Sequence, residues 1–128
     1  MKRFARWCVS LKCALAGLRS AFRTESNLRW HGLFVLLSGL LALFLSFSVE
    51  SWAILLVTWG LVVSAELLNT AIEKLADIIQ PQHDERIRQV KDISAAAVLV
   101  TAIVAALVGL LLFVPPLWEM ILGKVERW

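Results

Sequence analysis

Three long apolar stretches, joined by short polar connections, constrain the fold of this chain more than any other feature. They cover residues 33–47, 52–72 and 93–114. About 20 residues of helix cross the hydrocarbon core of a bilayer, so the second and third stretches can span it, and the first can do so with its flanks. Hydrophobic residues make up 59% of the 128 positions, and the mean hydropathy is +0.76, far above that of a soluble domain. We therefore predict an all-α integral membrane protein with three membrane helices.

Residues 1–29 predict an amphipathic helix that lies on the membrane surface. Basic residues occupy one face of this helix, and the other face is apolar, with Phe4, Trp7, Cys8, Leu11, Leu15, Leu18 and Phe22 at helical spacing. A polar face rich in Lys and Arg suits anionic headgroups, and packing on a protein partner is the alternative. The basic residues also interrupt the apolar core that a cleavable signal peptide requires, so we expect the segment to stay on the mature protein.

The positions of Lys and Arg predict the topology. Basic residues precede the first span and recur between the second and third spans, as Arg86, Arg88 and Lys91, whereas residues 46–51 contain none. Because Lys and Arg are enriched in cytoplasmic connections, both basic regions should face the cytoplasm. We predict a single domain, residues 1–128, made of a surface helix (1–29), membrane helices at about 31–48, 51–79 and 86–114, and a C-terminal tail (115–128).

Ionisable residues occupy the second half of the second span. On a helix, Glu66, Asn69, Glu73 and Asp77 fall within a stripe about 80° wide. An acidic side chain inside the membrane costs about 2.5–3.5 kcal/mol and is normally kept as part of a site. Glu66 lies about 10 Å deeper than Glu73. A deep carboxylate suits proton abstraction from a hydroxyl at the membrane boundary, and a carboxylate near water suits a hard cation such as magnesium.

Further charged residues are predicted at the level of Glu73. Lys91 and Asp92 begin the third span, where a Lys can hold a phosphate and an Asp can orient it or accept from a sugar hydroxyl. Glu25 lies where the surface helix gives way to the first span, and if it folds back towards Glu73 the two carboxylates could share one magnesium ion. Metal ligands, phosphate-binding cations and a base for the acceptor hydroxyl are the parts that phosphoryl transfer requires.

Other interpretations of the same residues remain open. Buried Glu66 and Asn69 can simply join helices, as in a non-enzymatic membrane assembly protein, and Ser94-Ala95-Ala96-Ala97 gives a small surface for close helix packing. A transporter or proton-conducting assembly is a third class, but one level of carboxylates leaves no path across the membrane. The sequence contains no P-loop and no protein-kinase signature.

Two motifs resemble the small prokaryotic diacylglycerol kinases and their undecaprenol kinase relatives. They are Glu66-Leu67-Leu68-Asn69-Thr70-Ala71-Ile72-Glu73 with Asp77, and Lys91-Asp92-Ile93-Ser94-Ala95-Ala96-Ala97-Val98. The resemblance covers nearly the whole chain, including Gly17-Leu18-Arg19, Glu25 and Arg29. It implies a homotrimer with a surface helix and three membrane helices per subunit, and with each site shared between neighbouring subunits. It also implies transfer of the ATP γ-phosphate to a lipid hydroxyl at the cytoplasmic face of a prokaryotic inner membrane.

The resemblance implies a role for each matching residue. Glu66 would be the catalytic base on the lipid hydroxyl, and Asn69 would orient Glu66 or the acceptor. Glu25 and Glu73 would hold Mg²⁺ with the nucleotide phosphates. The residues expected to contact ATP besides these two are Arg6, His83, Glu85, Lys91 and Asp92.

The lipid substrate is expected to contact Arg19 and Arg29 as well as Glu66. We expect diacylglycerol as the acceptor, giving phosphatidic acid. The segment Arg29-Trp30-His31 looks more like the undecaprenol kinase branch, so undecaprenol, giving undecaprenyl phosphate, is the alternative. A nucleic-acid partner is not expected.

Overall fold

The computed structural model describes residues 2–123, with side chains from Arg6 onwards, so the predicted surface residue Phe4 lies outside the described side chains. Within this part of the chain there are four α-helices and no strand: α1 (Lys2–Thr24), α2 (Ser26–Phe44), α3 (Val49–Ile79) and α4 (Glu85–Ile121). By length and composition, α2, α3 and α4 are each able to cross a membrane. The predicted all-α fold, with an N-terminal helix followed by three membrane helices, is confirmed.

Most large apolar side chains lie on the outside of this bundle. Phe44, Leu61 and Leu111 are 70%, 57% and 74% exposed, and Trp7 on α1 is 73% exposed. Soluble monomers rarely expose contiguous apolar areas of the size that these helices present. Lipid or further copies of the chain must therefore cover the helix faces, as expected of an integral membrane protein.

The boundary between α1 and α2 lies at Glu25. This residue adopts an extended conformation (φ −101°, ψ 119°), and its carboxylate does not cap α2. Instead the carboxylate accepts a hydrogen bond from Thr24 Oγ1 (2.7 Å) and pairs with Lys74 Nζ of α3 (3.1 Å). The surface helix ends at Thr24, where the backbone of Glu25 turns extended, and is therefore shorter than the predicted 1–29. The first span accordingly begins at Ser26 and ends at Phe44, earlier at both ends than the predicted 31–48.

The turn between α2 and α3 is a Schellman motif. Ser46 has a positive φ of 55°, Ser46 N–H donates to Leu43 O (3.1 Å), and Phe47 N–H donates to Ala42 O (3.1 Å). Such a motif satisfies the free carbonyls at a helix end and brings the flanking apolar residues together. Phe47 and Ala42 are accordingly buried in one apolar cluster with Leu55. The Phe47 ring packs on Phe113 of α4, with ring centroids 4.9 Å apart.

Helices α2 and α3 pack closely at Gly39. Trp59 of α3 donates from Nε1 to Ser38 Oγ (3.1 Å), and this bond holds the indole ring against Gly39. A Cβ built at Gly39 would lie 3.2 Å from Trp59 Cη2. The absence of a side chain at residue 39 therefore allows the two helices to approach.

Gly39→Val is expected to destabilise the bundle by about 1–3 kcal/mol, because the added side chain must displace the Trp59 ring from a packed position. Gly17→Val is the matched control, since a Cβ at Gly17 meets nothing within 4 Å. The measurement is thermal unfolding in detergent micelles. Equal loss of stability in both variants would show that helix propensity, and not the contact with Trp59, sets the cost.

Helix α4 continues through Pro115 and Pro116 to Ile121, where the sequence predicts a tail from residue 115. Proline removes a backbone donor, but its fixed φ suits a helix, and membrane helices tolerate it where other groups satisfy the freed carbonyls. Pro116 is buried, so packing against the bundle supports this part of the helix. Residues 124–128 of the predicted tail lie outside the described part of the chain.

Candidate active site

Four polar side chains of α3 form a stripe whose burial decreases towards one end of the bundle. Glu66 and Asn69 are 3% and 8% exposed, Glu73 is half-buried, and Asp77 is exposed. Asn69 and Asp77 both contact side chains of α4. We call the end of the bundle near Asp77, where the start of α4 meets the end of α3, the polar end. The predicted stripe therefore runs from the buried Glu66 in the interior of the bundle to the exposed Asp77 at the polar end.

A chain of hydrogen bonds links α4 to the centre of this stripe. The Ser94 hydroxyl donates to Asn69 Oδ1 (2.6 Å), and Asn69 Nδ2 donates to Glu73 Oε1 (3.1 Å). Ser94 is itself buried, at 7% exposure. Ser94 is not among the residues predicted for the site, although it belongs to the second motif of the family resemblance and lies one helical turn after Lys91.

The Glu66 carboxylate lies one turn deeper than this chain of hydrogen bonds. Within residues 6–123, no hydrogen bond or ion pair engages it. The residue is only 3% exposed, although its carboxylate oxygens are not fully enclosed. An acidic group inside a membrane helix that lacks a partner is usually retained where a ligand supplies one. Glu66 is therefore available to a hydroxyl group that enters the site.

Ion pairs organise the start of α4 at the polar end. Lys91 pairs with Asp77 of α3, and Arg88 pairs with Glu85 and with Asp92 (3.0 Å). Three residues predicted to contact ATP, Glu85, Lys91 and Asp92, are therefore paired with neighbouring charges in the ligand-free chain. A nucleotide that binds here must exchange these surface pairs for phosphate contacts, and exposed pairs are weak enough to allow this.

Asp84 fixes the start of α4. Its Oδ1 accepts from the Arg86 backbone N–H (2.8 Å), and its Oδ2 pairs with Arg86 Nη2 (2.9 Å). These hydrogen bonds from the Arg86 side chain and backbone lower the pKa of Asp84 to about 2. His83, a predicted nucleotide contact, is exposed in the connection that precedes this cap.

Glu25 approaches α3 beside the predicted magnesium ligand Glu73. The Glu25 carboxylate pairs with Lys74, the residue that follows Glu73 in the sequence. Hydrogen bonds from Thr24 and Lys74 hold the pKa of the Glu25 carboxyl below its ordinary value. Among the described residues, no group of three or more His, Cys, Asp or Glu side chains could hold a metal ion. Magnesium commonly uses one or two carboxylates together with water and substrate phosphates, so Glu25 and Glu73 stay the predicted ligands, although no described contact joins their carboxylates.

The remaining predicted residues lie on α1 and at the start of α2. Arg6 and Arg19 are exposed on α1. Arg29 is exposed, and its Nη1 donates to Arg23 O (3.1 Å). The contact between Glu25 and Lys74 brings α1 to the polar end, whereas Arg19 and Arg29 make no hydrogen bond to the α3 stripe among the described contacts.

An apolar cavity of 360 Å³ opens between α2, α3 and α4. Val62 and Val63 line it on α3, and both lie one turn from Glu66. Ala105 and Gly109 form its wall on α4, and His31 lies at the α2 end nearest to the polar end of the bundle. The cavity therefore begins next to the one buried carboxylate of the α3 stripe.

Comparisons with known proteins match this arrangement to one family. A family model described as prokaryotic diacylglycerol kinase matches residues 12–113. An undecaprenol kinase of Bacillus subtilis is 38% identical over 104 residues, which are 79% of this chain and 82% of that protein. A diacylglycerol kinase of Escherichia coli is 36% identical over 91 residues, covering 71% of this chain and 75% of that protein.

A diacylglycerol kinase of Synechocystis is 40% identical over 113 residues, covering 85% of this chain and 63% of that longer protein. The matched region in the family model includes all of α2 and α3, and it extends through most of α4. It therefore contains the whole α3 stripe, Lys91, Asp92 and Ser94. The chain belongs to the prokaryotic diacylglycerol kinase family, a family of membrane-embedded lipid kinases.

Proposed function

We propose that this protein transfers the γ-phosphate of ATP to the hydroxyl of diacylglycerol, giving phosphatidic acid, at the cytoplasmic face of a prokaryotic inner membrane. The observation that carries the proposal is Glu66, a residue only 3% exposed whose carboxylate makes no hydrogen bond or ion pair within residues 6–123, one turn below the network of Ser94, Asn69 and Glu73. A lipid hydroxyl reaches such a carboxylate from within the membrane. ATP reaches the polar end from water, so the two substrates meet along the α3 stripe.

The proposed reaction requires one proton transfer and one phosphoryl transfer. Glu66 accepts the proton of the lipid hydroxyl while the hydroxyl oxygen forms a bond to the γ-phosphorus of ATP. The bond between that phosphorus and the bridging oxygen of the leaving ADP breaks. Asn69 holds the Glu73 carboxylate through the 3.1 Å hydrogen bond, and Lys91 neutralises phosphate charge after leaving Asp77. Glu25 and Glu73 would hold Mg²⁺, which supplies charge neutralisation on the nucleotide phosphates when bound.

The active form is proposed to be a homotrimer whose sites lie between subunits. The apolar faces of α2, α3 and α4 are largely uncovered within one chain, which supports association in the membrane. Arg19 and Arg29 make no hydrogen bond to the α3 stripe among the described contacts, and a neighbouring subunit offers the simplest way to bring such residues to a shared site. Arg6 and the exposed His83 are proposed to contact ATP in this arrangement, and Arg19 and Arg29 the lipid.

The test is transfer of labelled phosphate from ATP to lipid in mixed micelles that contain magnesium. Diacylglycerol and undecaprenol are supplied separately at equal mole fraction. Labelled phosphatidic acid formed by the wild-type protein supports the proposal. A folded and assembled protein that labels neither lipid would contradict it.

Undecaprenol is the second candidate acceptor. The Bacillus subtilis relative is an undecaprenol kinase, and this chain spans 82% of its length. Both lipids present a primary hydroxyl beside long apolar chains, so Glu66 would serve either. The cavity next to Glu66 is proposed to hold part of the lipid tail, and the side-by-side assay decides which lipid is preferred.

Ala105→Leu is expected to raise the apparent KM for the lipid about fivefold or more, because the larger side chain fills the cavity and forces its walls apart. The apparent KM for ATP should stay near the wild-type value, because the cavity contains no residue of the polar end. Ala53→Leu makes the same change at an exposed position of α3 that does not line the cavity. Equal effects of the two variants on the lipid KM would remove the cavity from the substrate site.

Lys91→Met is expected to raise the apparent KM for ATP about tenfold or more, because a hydrogen bond to a charged group contributes about 1.5–3 kcal/mol. The apparent KM for the lipid should change much less. Arg86→Met is the control, since it removes a nearby basic side chain that pairs with Asp84 and not with α3. Initial rates measured against ATP and lipid separately distinguish the two effects, and wild-type kinetics in Lys91→Met would exclude Lys91 from the nucleotide site.

A further inference from the structure

Ser94 makes a buried polar contact between α3 and α4. Within the described chain, two side-chain hydrogen bonds join these helices: Ser94 to Asn69, and Lys91 to Asp77. The second lies at the exposed polar end, whereas Ser94 and Asn69 are 7% and 8% exposed. A hydrogen bond of 2.6 Å in such surroundings is sheltered from competition with water.

The contacts of Asn69 allow one orientation of its amide. Asn69 Nδ2 lies 3.1 Å from Glu73 Oε1, and a carboxylate oxygen accepts from an amide NH₂ group, so the NH₂ group of Asn69 faces Glu73. The amide oxygen then faces Ser94, whose single hydroxyl proton has two acceptors within reach: Asn69 Oδ1 (2.6 Å) and, at a longer distance, the backbone carbonyl of Lys91 in its own helix (2.9 Å). Rotating the amide by half a turn would set its oxygen against a carboxylate oxygen, with two acceptors and no hydrogen between them. With the Ser94 hydroxyl donating to the Asn69 oxygen and the Asn69 NH₂ group donating to Glu73, both ends of the amide have a matching partner.

We infer that Ser94 is a positioning residue, which holds the Asn69 amide so that its NH₂ group fixes the Glu73 carboxylate for magnesium and nucleotide binding. The inference rests on the proposed function, because it assigns Glu73 to the site of phosphoryl transfer. Without the Ser94 hydroxyl, the Asn69 oxygen loses its donor, and the amide is free to rotate away from Glu73. Ser94 acts through Asn69 and does not itself contact a substrate.

The amide of Asn69 provides a direct test that does not depend on activity. The chain contains two asparagines, Asn69 and the exposed Asn27, so selective ¹⁵N labelling of asparagine gives two pairs of side-chain amide signals, with Asn27 as the internal reference. Exchange of the Asn69 amide protons with water should become about tenfold faster in Ser94→Ala. Ser94→Thr keeps a hydroxyl and should restore slow exchange. Thr101→Val is the control, because its hydroxyl bonds only to Val98 O (2.9 Å) of the same helix.

The kinetic test separates positioning from a general structural effect. Ser94→Ala should lower kcat and raise the half-saturating magnesium concentration, each about threefold to tenfold, the range expected for one hydrogen bond. The lipid KM should not change, and Thr101→Val should match the wild type. A merely structural role would reduce the active fraction without moving the magnesium titration.

Each result decides a different point. Wild-type exchange at Asn69 in Ser94→Ala, or an unchanged magnesium titration, would overturn the inference. A wild-type protein that phosphorylates no lipid would overturn the proposed function instead, and the exchange rates would still show whether Ser94 orients Asn69.

Discussion

Glu66→Gln is expected to lower lipid phosphorylation by about 100-fold to 10,000-fold, the usual contribution of a general base. Glutamine preserves the shape of the side chain but cannot take up the proton of a lipid hydroxyl. Glu66 makes no hydrogen bond or ion pair within residues 6–123, so replacing it breaks no described contact. The loss should therefore appear in kcat, while thermal unfolding and assembly in micelles stay close to those of the wild type.

Glu50→Gln is the matched control for this substitution. Glu50 lies on the same helix but in its first turn, at the opposite end from Asp77, and it is exposed. Its replacement changes the net charge of the chain equally and should leave phosphate transfer unchanged. Full activity in Glu66→Gln would show that another group, or water, takes the proton.

The spans and the α3 stripe were predictable from the sequence because they depend on local rules. Apolar length predicts a membrane helix, and the helical repeat places Glu66, Asn69, Glu73 and Asp77 on one side. The buried position of Glu66 and Asn69 follows from the same pattern, since polar groups in a membrane helix face the bundle interior. These inferences needed no knowledge of which helix lies opposite.

The contacts between helices were not predictable in the same way. Ser94 looks like one small residue in an alanine-rich segment, and only its placement opposite Asn69 gives its hydroxyl a partner. At the end of α1, Thr24 and Glu25 both contact Lys74, which lies about fifty residues further along the chain. The rotation and depth of neighbouring helices decide such pairs, and hydropathy along a single segment contains no information about them.

The family and the geometry bear differently on the rival interpretations of the polar stripe. Membership of a lipid kinase family counts against a non-enzymatic assembly protein and against a proton path. The network of Ser94, Asn69 and Glu73 does join α3 to α4, as the assembly interpretation supposes. The two roles are compatible, because the hydrogen bonds that connect α3 to α4 also orient the Glu73 carboxylate near the polar end.

Glu73→Gln is expected to raise the magnesium concentration needed for half-maximal activity about tenfold or more, because changes around a metal site typically cost 10-fold to 100-fold in affinity. Glutamine keeps one oxygen that can accept from Asn69 Nδ2, so the 3.1 Å contact and the fold should survive. The negative charge that attracts the cation is lost. Magnesium titrations at saturating lipid and fixed ATP measure the shift, and high magnesium should restore part of the activity.

Asp77→Asn shows whether the magnesium effect belongs to Glu73 or to the negative charge of the polar end. Asp77 lies one turn beyond Glu73 on the same stripe, is exposed, and pairs with Lys91. Its replacement removes the same charge from the same helix and should leave the magnesium titration near that of the wild type. Equal shifts in the two variants would indicate general electrostatic attraction of the cation, and an unchanged titration in Glu73→Gln would exclude metal binding at Glu73.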